Sequence, residues 1–213
     1  MKRLIILILL AITSVQLHAQ SAKEILNKVT TQIKSYKNIQ LDFNYSMLNQ
    51  SLGIEENNKG KLTFKGNKYI LNLTQLGLSI YSDGTNSYTY NSEANELTIN
   101  NLEDGDQMLN PASLFSMYEK GFDGKYVGQT VVGGKKCHHL EMTPQKGNQV
   151  EFTKIEVFVN QETNLIEQAK MHVDGGTIYT LSIKNILTNQ TINDSDFVFN
   201  QAKHPGIEVI DLR

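Results

Sequence analysis

The sequence predicts a mainly β (α+β) fold: a strongly curved antiparallel sheet, an incomplete β-barrel of about eleven strands, with an N-terminal helix and a mid-chain lid helix. Three observations lead to it. From Ile39 onward, apolar and polar residues alternate with period two in segment after segment. Turn-forming pairs such as Gly66-Asn67, Asp83-Gly84 and Gly133-Gly134 separate those segments at hairpin spacing. The 3.6-residue period stands out in two stretches, 21–36 and 110–121.

The first residues read as a secretory signal peptide. Lys2 and Arg3 precede the apolar run Leu4–Ile12, and a polar stretch ends in Leu17-His18-Ala19, a small residue before the expected cut at Gln20. The run is short for a bilayer span, and no later segment approaches the length one needs. No cysteine stands near the cut to be acylated. Residues 1–19 are therefore expected to be removed. The remainder, 20–213, is expected to be one soluble, exported, monomeric domain. Its only cysteine is Cys137, so no internal disulfide staples it.

Ser21 and Glu24 form a capping box, followed by Ala22, Ile25, Leu26, Val29, Ile33 and Tyr36 on an arc of about 100°. This is an amphipathic helix packed on a sheet. Ile39, Leu41, Phe43, Tyr45 and Met47 then alternate as a strand, and a polar connection is expected from Gly53 to Asn58. Strands follow at 61–65, 68–74, 78–82, 87–91 and 96–100. The acidic loop 101–107 leads to the mid-chain helix. Asn110 suits its cap, Pro111 its first turn and Gly121 the residue past its end. Pro111, Leu114, Phe115, Met117 and Tyr118 share an arc of about 160°. Strands resume at 125–132, 136–143, 150–160, 165–173 and 177–187, and the tail holds Phe197-Val198-Phe199 and an edge segment around Ile207–Val209.

Composition excludes some functions. Without Lys2 and Arg3 the chain has 18 basic and 22 acidic residues, a net charge near −4, and its only arginine is Arg213. A nucleic-acid partner is not expected. Cys137-His138-His139 lies on a strand, with Cys137 and His139 on one side and His138 on the other. His172 and His204 each stand alone in the sequence, so no metal site is expected. Glu103-Asp104-Asp106 lacks the spacing of a calcium loop, and Asp83-Gly84 reads as a hairpin turn. With no nucleophile elbow, phosphate loop or zinc-protease motif, the chain reads as a binder rather than an enzyme, with no cofactor.

What is in excess is apolar surface on one strand face: Phe43, Tyr45, Leu62, Phe64, Tyr69, Leu71, Leu73, Leu78 and Ile80. These residues make either an ordinary core closed by the two helices or the lining of a concavity with a removable cover. Composition leaves both readings open.

The order of several short segments resembles a known family, the periplasmic carriers of outer-membrane lipoproteins, LolA/LolB-like. The first helix is followed by Leu41-Asp42-Phe43, Gly60-Lys61-Leu62-Thr63-Phe64-Lys65, Ile80-Tyr81-Ser82-Asp83-Gly84-Thr85 and Tyr88-Thr89-Tyr90-Asn91. Asn110–Gly121 stands at the place of the family's lid, and His139–Pro144 resembles its strand end. Phe197-Val198-Phe199 and Pro205–Asp211 resemble its closing signature. The missing acylated cysteine favours the soluble LolA-like branch. The resemblance implies acyl-chain binding by Phe43, Tyr45, Leu62, Phe64, Tyr69, Leu71, Leu73, Leu78, Ile80, Leu114, Phe115, Met117 and Tyr118. It also implies acylated lipoproteins as cargo, an inner-membrane release complex as donor and an outer-membrane acceptor. One departure matters: Lys65-Gly66-Asn67 replaces the family's Arg-Pro pair, whose arginine latches the lid. Lys65 or Lys68 can supply a point charge there but not a planar fork.

Overall fold

The computed structural model describes residues 21–102, 121–147 and 150–213. Ser21 caps helix α1 (Ala22–Lys34), and the Ser21–Glu24 capping box forms as expected. Its Ala22, Ile25, Leu26 and Val29 are buried.

All eleven expected strands form. They are β1 (Ile39–Asn49), β2 (Ile54–Lys65), β3 (Lys68–Leu73), β4 (Leu78–Ser82), β5 (Asn86–Asn91), β6 (Glu96–Asn101), β7 (Phe122–Val132), β8 (Lys135–Pro144), β9 (Phe152–Asn160), β10 (Ile166–Val173) and β11 (Thr177–Thr188). The tail adds a twelfth, β12 (Glu208–Asp211). One sheet holds them in the order β12-β6-β5-β4-β3-β2-β1-β11-β10-β9-β8-β7. Among the described residues its ends, β12 and β7, do not pair, so the sheet does not close.

Two expectations need correction. The segment 54–58 is not a connection: it pairs with β1 out to Asn49↔Ile54, across a turn in which Gly53 has φ +65. Its Glu55, Glu56 and Asn57 are exposed, so both faces are wet there and no apolar alternation marks the strand. Nor is the sheet wholly antiparallel, since β12 pairs parallel to β6. No hairpin makes that pairing; the chain reaches β6 only through the crossover 189–207. The expected helix at 110–121 lies, Gly121 apart, outside the described residues, as does the acidic loop before it from 103 on; Asn101, expected to open that loop, ends β6.

Register sets the faces. Ile80, Leu71, Leu62, Leu41 and Ile186 stand side by side across β4, β3, β2, β1 and β11. Tyr45, Leu181, Ala169, Val157, Leu140 and Tyr126 continue that face to β7. Helix α1 lies on this face, with Ile25 and Val29 each 1% exposed among Leu140, Met142, Ile155, Val157 and Val159.

Candidate functional site

The apolar face divides into two clusters. Under α1 lies the first. The second packs Ile39, Leu41, Phe43, Leu62, Phe64, Tyr69, Leu71 and Ile80, with Tyr45, Leu73, Leu78, Leu102, Leu181, Ile183 and Ile186 against it. Ile33 touches both clusters, so the last turn of α1 joins them. All nine strand residues singled out from the sequence therefore meet in one cluster. Leu114, Phe115, Met117 and Tyr118 lie outside the described residues.

Towards the β1–β2 hairpin the face changes character. Tyr45 and Met47 are half-buried and stand opposite Asn58 and Glu56. Tyr45 stacks on Tyr179 with ring centres 5.8 Å apart. Burial, with Tyr179 and Glu56 close by, raises the Tyr45 phenol above its usual pKa, so the ring stays neutral. This edge of the apolar face is amphipathic.

The other face of the sheet is built differently in its two halves. Over β4–β6, the crossover 189–207 lays Phe199 against Tyr81, Tyr88, Tyr90, Leu97 and Ile99. Phe197 is fully buried. Asp194 on the crossover binds Lys65 Nζ at 2.7 Å and Lys68 Nζ at 2.8 Å. Those lysines face each other directly across β2 and β3, a repulsive pairing that Asp194 relieves. Hydrogen bonds from the two ammonium groups hold the Asp194 carboxyl at about 2. The charge expected to help latch a lid is engaged in fastening the crossover.

Over β8–β10 the same face is polar. Glu156 takes His172 Nε2 at 2.7 Å and His139 Nε2 at 2.8 Å, with Lys154 3.6 Å away. Burial alone would raise Glu156; the His172 bond, Lys154 and His139 together hold it below the usual range. His139 also stacks on Phe158. A shallow groove of about 280 Å³ runs beside this cluster, lined by Ser46, Leu48, Glu55, Lys170, His172 and Thr180 among others. His172 was expected to stand alone; the register of β8, β9 and β10 brings it to the carboxylate that holds His139. Among the described residues no group of three or more His, Cys, Asp or Glu is arranged to hold a metal ion. Cys137 is fully buried, and burial pushes its thiol up. His138 faces the α1 side, its Nδ1 3.4 Å from the Tyr126 hydroxyl; burial, then Lys28, pushes its pKa down. Asp83 behaves as a turn residue: its Oδ1 accepts from the N–H groups of Thr85 and Asn86.

Residues 34–200, which include the strand residues of both clusters and the part of the crossover with Asp194 and Phe199, match the family model described as outer membrane lipoprotein carrier protein LolA. The chain belongs to the LolA family. No curated protein matches this LolA-family chain. Among solved structures it is similar to an uncharacterized conserved protein from Thermus thermophilus, at 11% identity and TM-score 0.61, covering 89% of this chain and 98% of that one. That likeness shows the fold alone. A LolA superfamily protein from Nitrosomonas europaea matches at 13% identity and TM-score 0.45, covering 84% and 98% of the two chains. A putative outer membrane lipoprotein-sorting protein domain from Vibrio parahaemolyticus matches at 10% identity and TM-score 0.47, covering 82% and 94%. Among the described residues no helix of this LolA-family chain is long and apolar enough to cross a membrane.

Proposed function

We propose that this protein, freed of residues 1–19, is a periplasmic carrier that shelters the acyl chains of lipoproteins between the inner and outer membranes. Residues 20–213 act as one domain, with no catalytic group and no cofactor. The observation that supports this most is the apolar face itself. It runs across strands on both sides of β1, carries α1 over one cluster with Ile33 reaching the other, and ends in the amphipathic rim of Tyr45, Met47 and Tyr179. Burying a methylene is worth about 0.8 kcal/mol, so sheltering ten of them offsets about 8 kcal/mol of exposure to water. Cavity and bilayer are both apolar, so the net difference between them is small and transfer in either direction stays feasible.

The test is release. Inner-membrane vesicles loaded with acylated lipoprotein are incubated with the purified chain, with a working carrier in parallel. The expected result is cargo in the soluble fraction, bound to the chain; none released while the control works overturns the proposal. Phe115→Asp should abolish cargo binding and leave the sheet's circular dichroism unchanged, because residues 110–121 act as the lid. Normal binding by that variant would refute the lid.

A second reading has its own observation. Lys65 and Lys68 are fastened to Asp194, at the position where the resemblance placed a latching arginine. A member without that latch suits a binding or sensing module for another lipid, a glycolipid or a partner protein. Native mass spectrometry of the protein from its own compartment separates the two: a free lipid favours this reading, a lipoprotein the first.

A further inference from the structure

Gly60 lies inside β2, buried, in the middle of a regular antiparallel ladder. A glycine there weakens a strand unless something needs the missing side chain. Backbone freedom is not the need, since Gly60 is absent from the residues with positive φ. The need is space. An ideal Cβ on Gly60 would stand 2.7 Å from Cε2 and 2.8 Å from Cε1 of Phe43, and closer still to its Cζ. Phe43 is the cross-strand partner of Gly60, and its ring lies flat over that position.

A second irregularity converges on the same ring. Between β1 and β11 the register shifts at Asp42/Phe43: Asp42 pairs with Asn185 and Phe43 with Ile183, which leaves Lys184 unpaired as a bulge. Bulges re-aim the side chains beside them. Phe43 is thus seated on one side by a glycine and on the other by a bulge. It is also the last buried residue on its face of β1 before the half-buried Tyr45 and Met47.

We infer that Phe43 seated on Gly60 is the depth-setting element of the ligand space. With the ring flat, the floor between the dry cluster and the amphipathic rim lies one side chain lower than a standing aromatic would leave it. The pair is therefore a specificity determinant for the length or bulk of the apolar ligand. This rests on the acyl-carrier reading above. Gly60→Ala lifts the ring into the space, and Phe43→Leu lowers the floor.

The experiment measures binding of synthetic triacylated lipopeptides with a graded series of acyl lengths to the chain freed of residues 1–19, to Gly60→Ala, to Phe43→Leu and to the double variant. Gly60→Ala is expected to weaken the longest chains by about tenfold or more and the shortest least. Phe43→Leu is expected to shift the preference to longer chains, and the double variant to return towards the wild-type profile. If wild type binds the series and Phe43→Leu leaves the length profile unchanged, the inference is overturned. It is equally overturned if Gly60→Ala binds every length as wild type does. Should Gly60→Ala fail to fold, Phe43→Leu alone decides. If wild type binds none of the series, the carrier reading itself has failed.

Discussion

Glu167 separates two effects that the structure superimposes. Its side chain is 8% exposed and binds Lys135 Nζ at 2.8 and 3.0 Å. It also accepts from Asn160 Nδ2 at 2.8 Å. Lys135 is 53% exposed, so solvent screens the ion pair and its worth is about 0–1 kcal/mol. Asn160 is 5% exposed, and its Nδ2 has no water to turn to; leaving it unpaired costs about 1–3 kcal/mol. Its Oδ1 meanwhile fixes the turn into β10 by accepting from the N–H groups of Glu162 and Thr163. Glu167→Gln keeps an acceptor for Asn160 and loses only the charge, an expected loss of at most about 1 kcal/mol. Glu167→Leu removes the acceptor while Lys135 swings to water. The expected loss is about 2 kcal/mol, or about 4–8 °C in Tm for a chain of this size. Urea unfolding followed by circular dichroism, with equal m-values, measures both. If the glutamine variant is as unstable as the leucine variant, charge rather than amide satisfaction dominates and the reasoning is refuted.

Three further outcomes are expected. Cys137 should resist thiol reagents until the protein is denatured, because it is fully buried with a raised pKa; labelling of the native chain at the rate of a free thiol would contradict this. Asp194→Asn should lower stability at low salt, with the deficit shrinking as salt rises. The carboxyl's folded pKa is depressed to about 2, so in wild type its contribution is present above the ordinary aspartate value and disappears as pH falls through about 2. A deficit independent of salt and pH would point to packing instead. Ile25→Ala, in the cluster under α1, should cost about 2–5 kcal/mol in denaturant unfolding. A loss below about 1 kcal/mol would mean that α1 is not fastened there.

The legible parts of this fold are those where one strand face is dry. β4 was found to the residue, from Leu78 to Ser82, because Leu78 and Ile80 alternate with polar residues and the Asp83-Gly84 turn ends it. The nine strand residues of the candidate site were found together because alternation identifies a face without identifying its partner. The first half of β2 was missed because Glu55 to Lys59 meet water on both faces, and backbone pairing leaves no trace in side-chain polarity. The His139–Glu156–His172 cluster was missed for another reason. It depends on the relative register of three strands, which loop lengths do not determine, and each residue alone looks like an ordinary polar strand position. The parallel seat of β12 depends on a crossover whose destination, unlike that of a hairpin, is not local. The one signal within reach was Gly60, a glycine directly before the apolar alternation of Leu62 and Phe64.

The central ladder has a kinetic consequence. β1 to β6 is a meander of neighbours in sequence, and so is β7 to β11; among the described residues these two meanders share one strand pairing, β1 with β11, from Ile39↔Thr188 to Asn49↔Thr177. Those partners come from opposite ends of the chain, so their loop is the most expensive to close and the slowest to form. Folding should therefore pass through two half-sheets, each with one open strand edge and an apolar face, until β1 and β11 pair. A chain truncated before β11 would keep both hairpin arrays and expose β1 as a long sticky edge. Pairing of β1 with β11 covers the open edge of each half and joins them into one sheet.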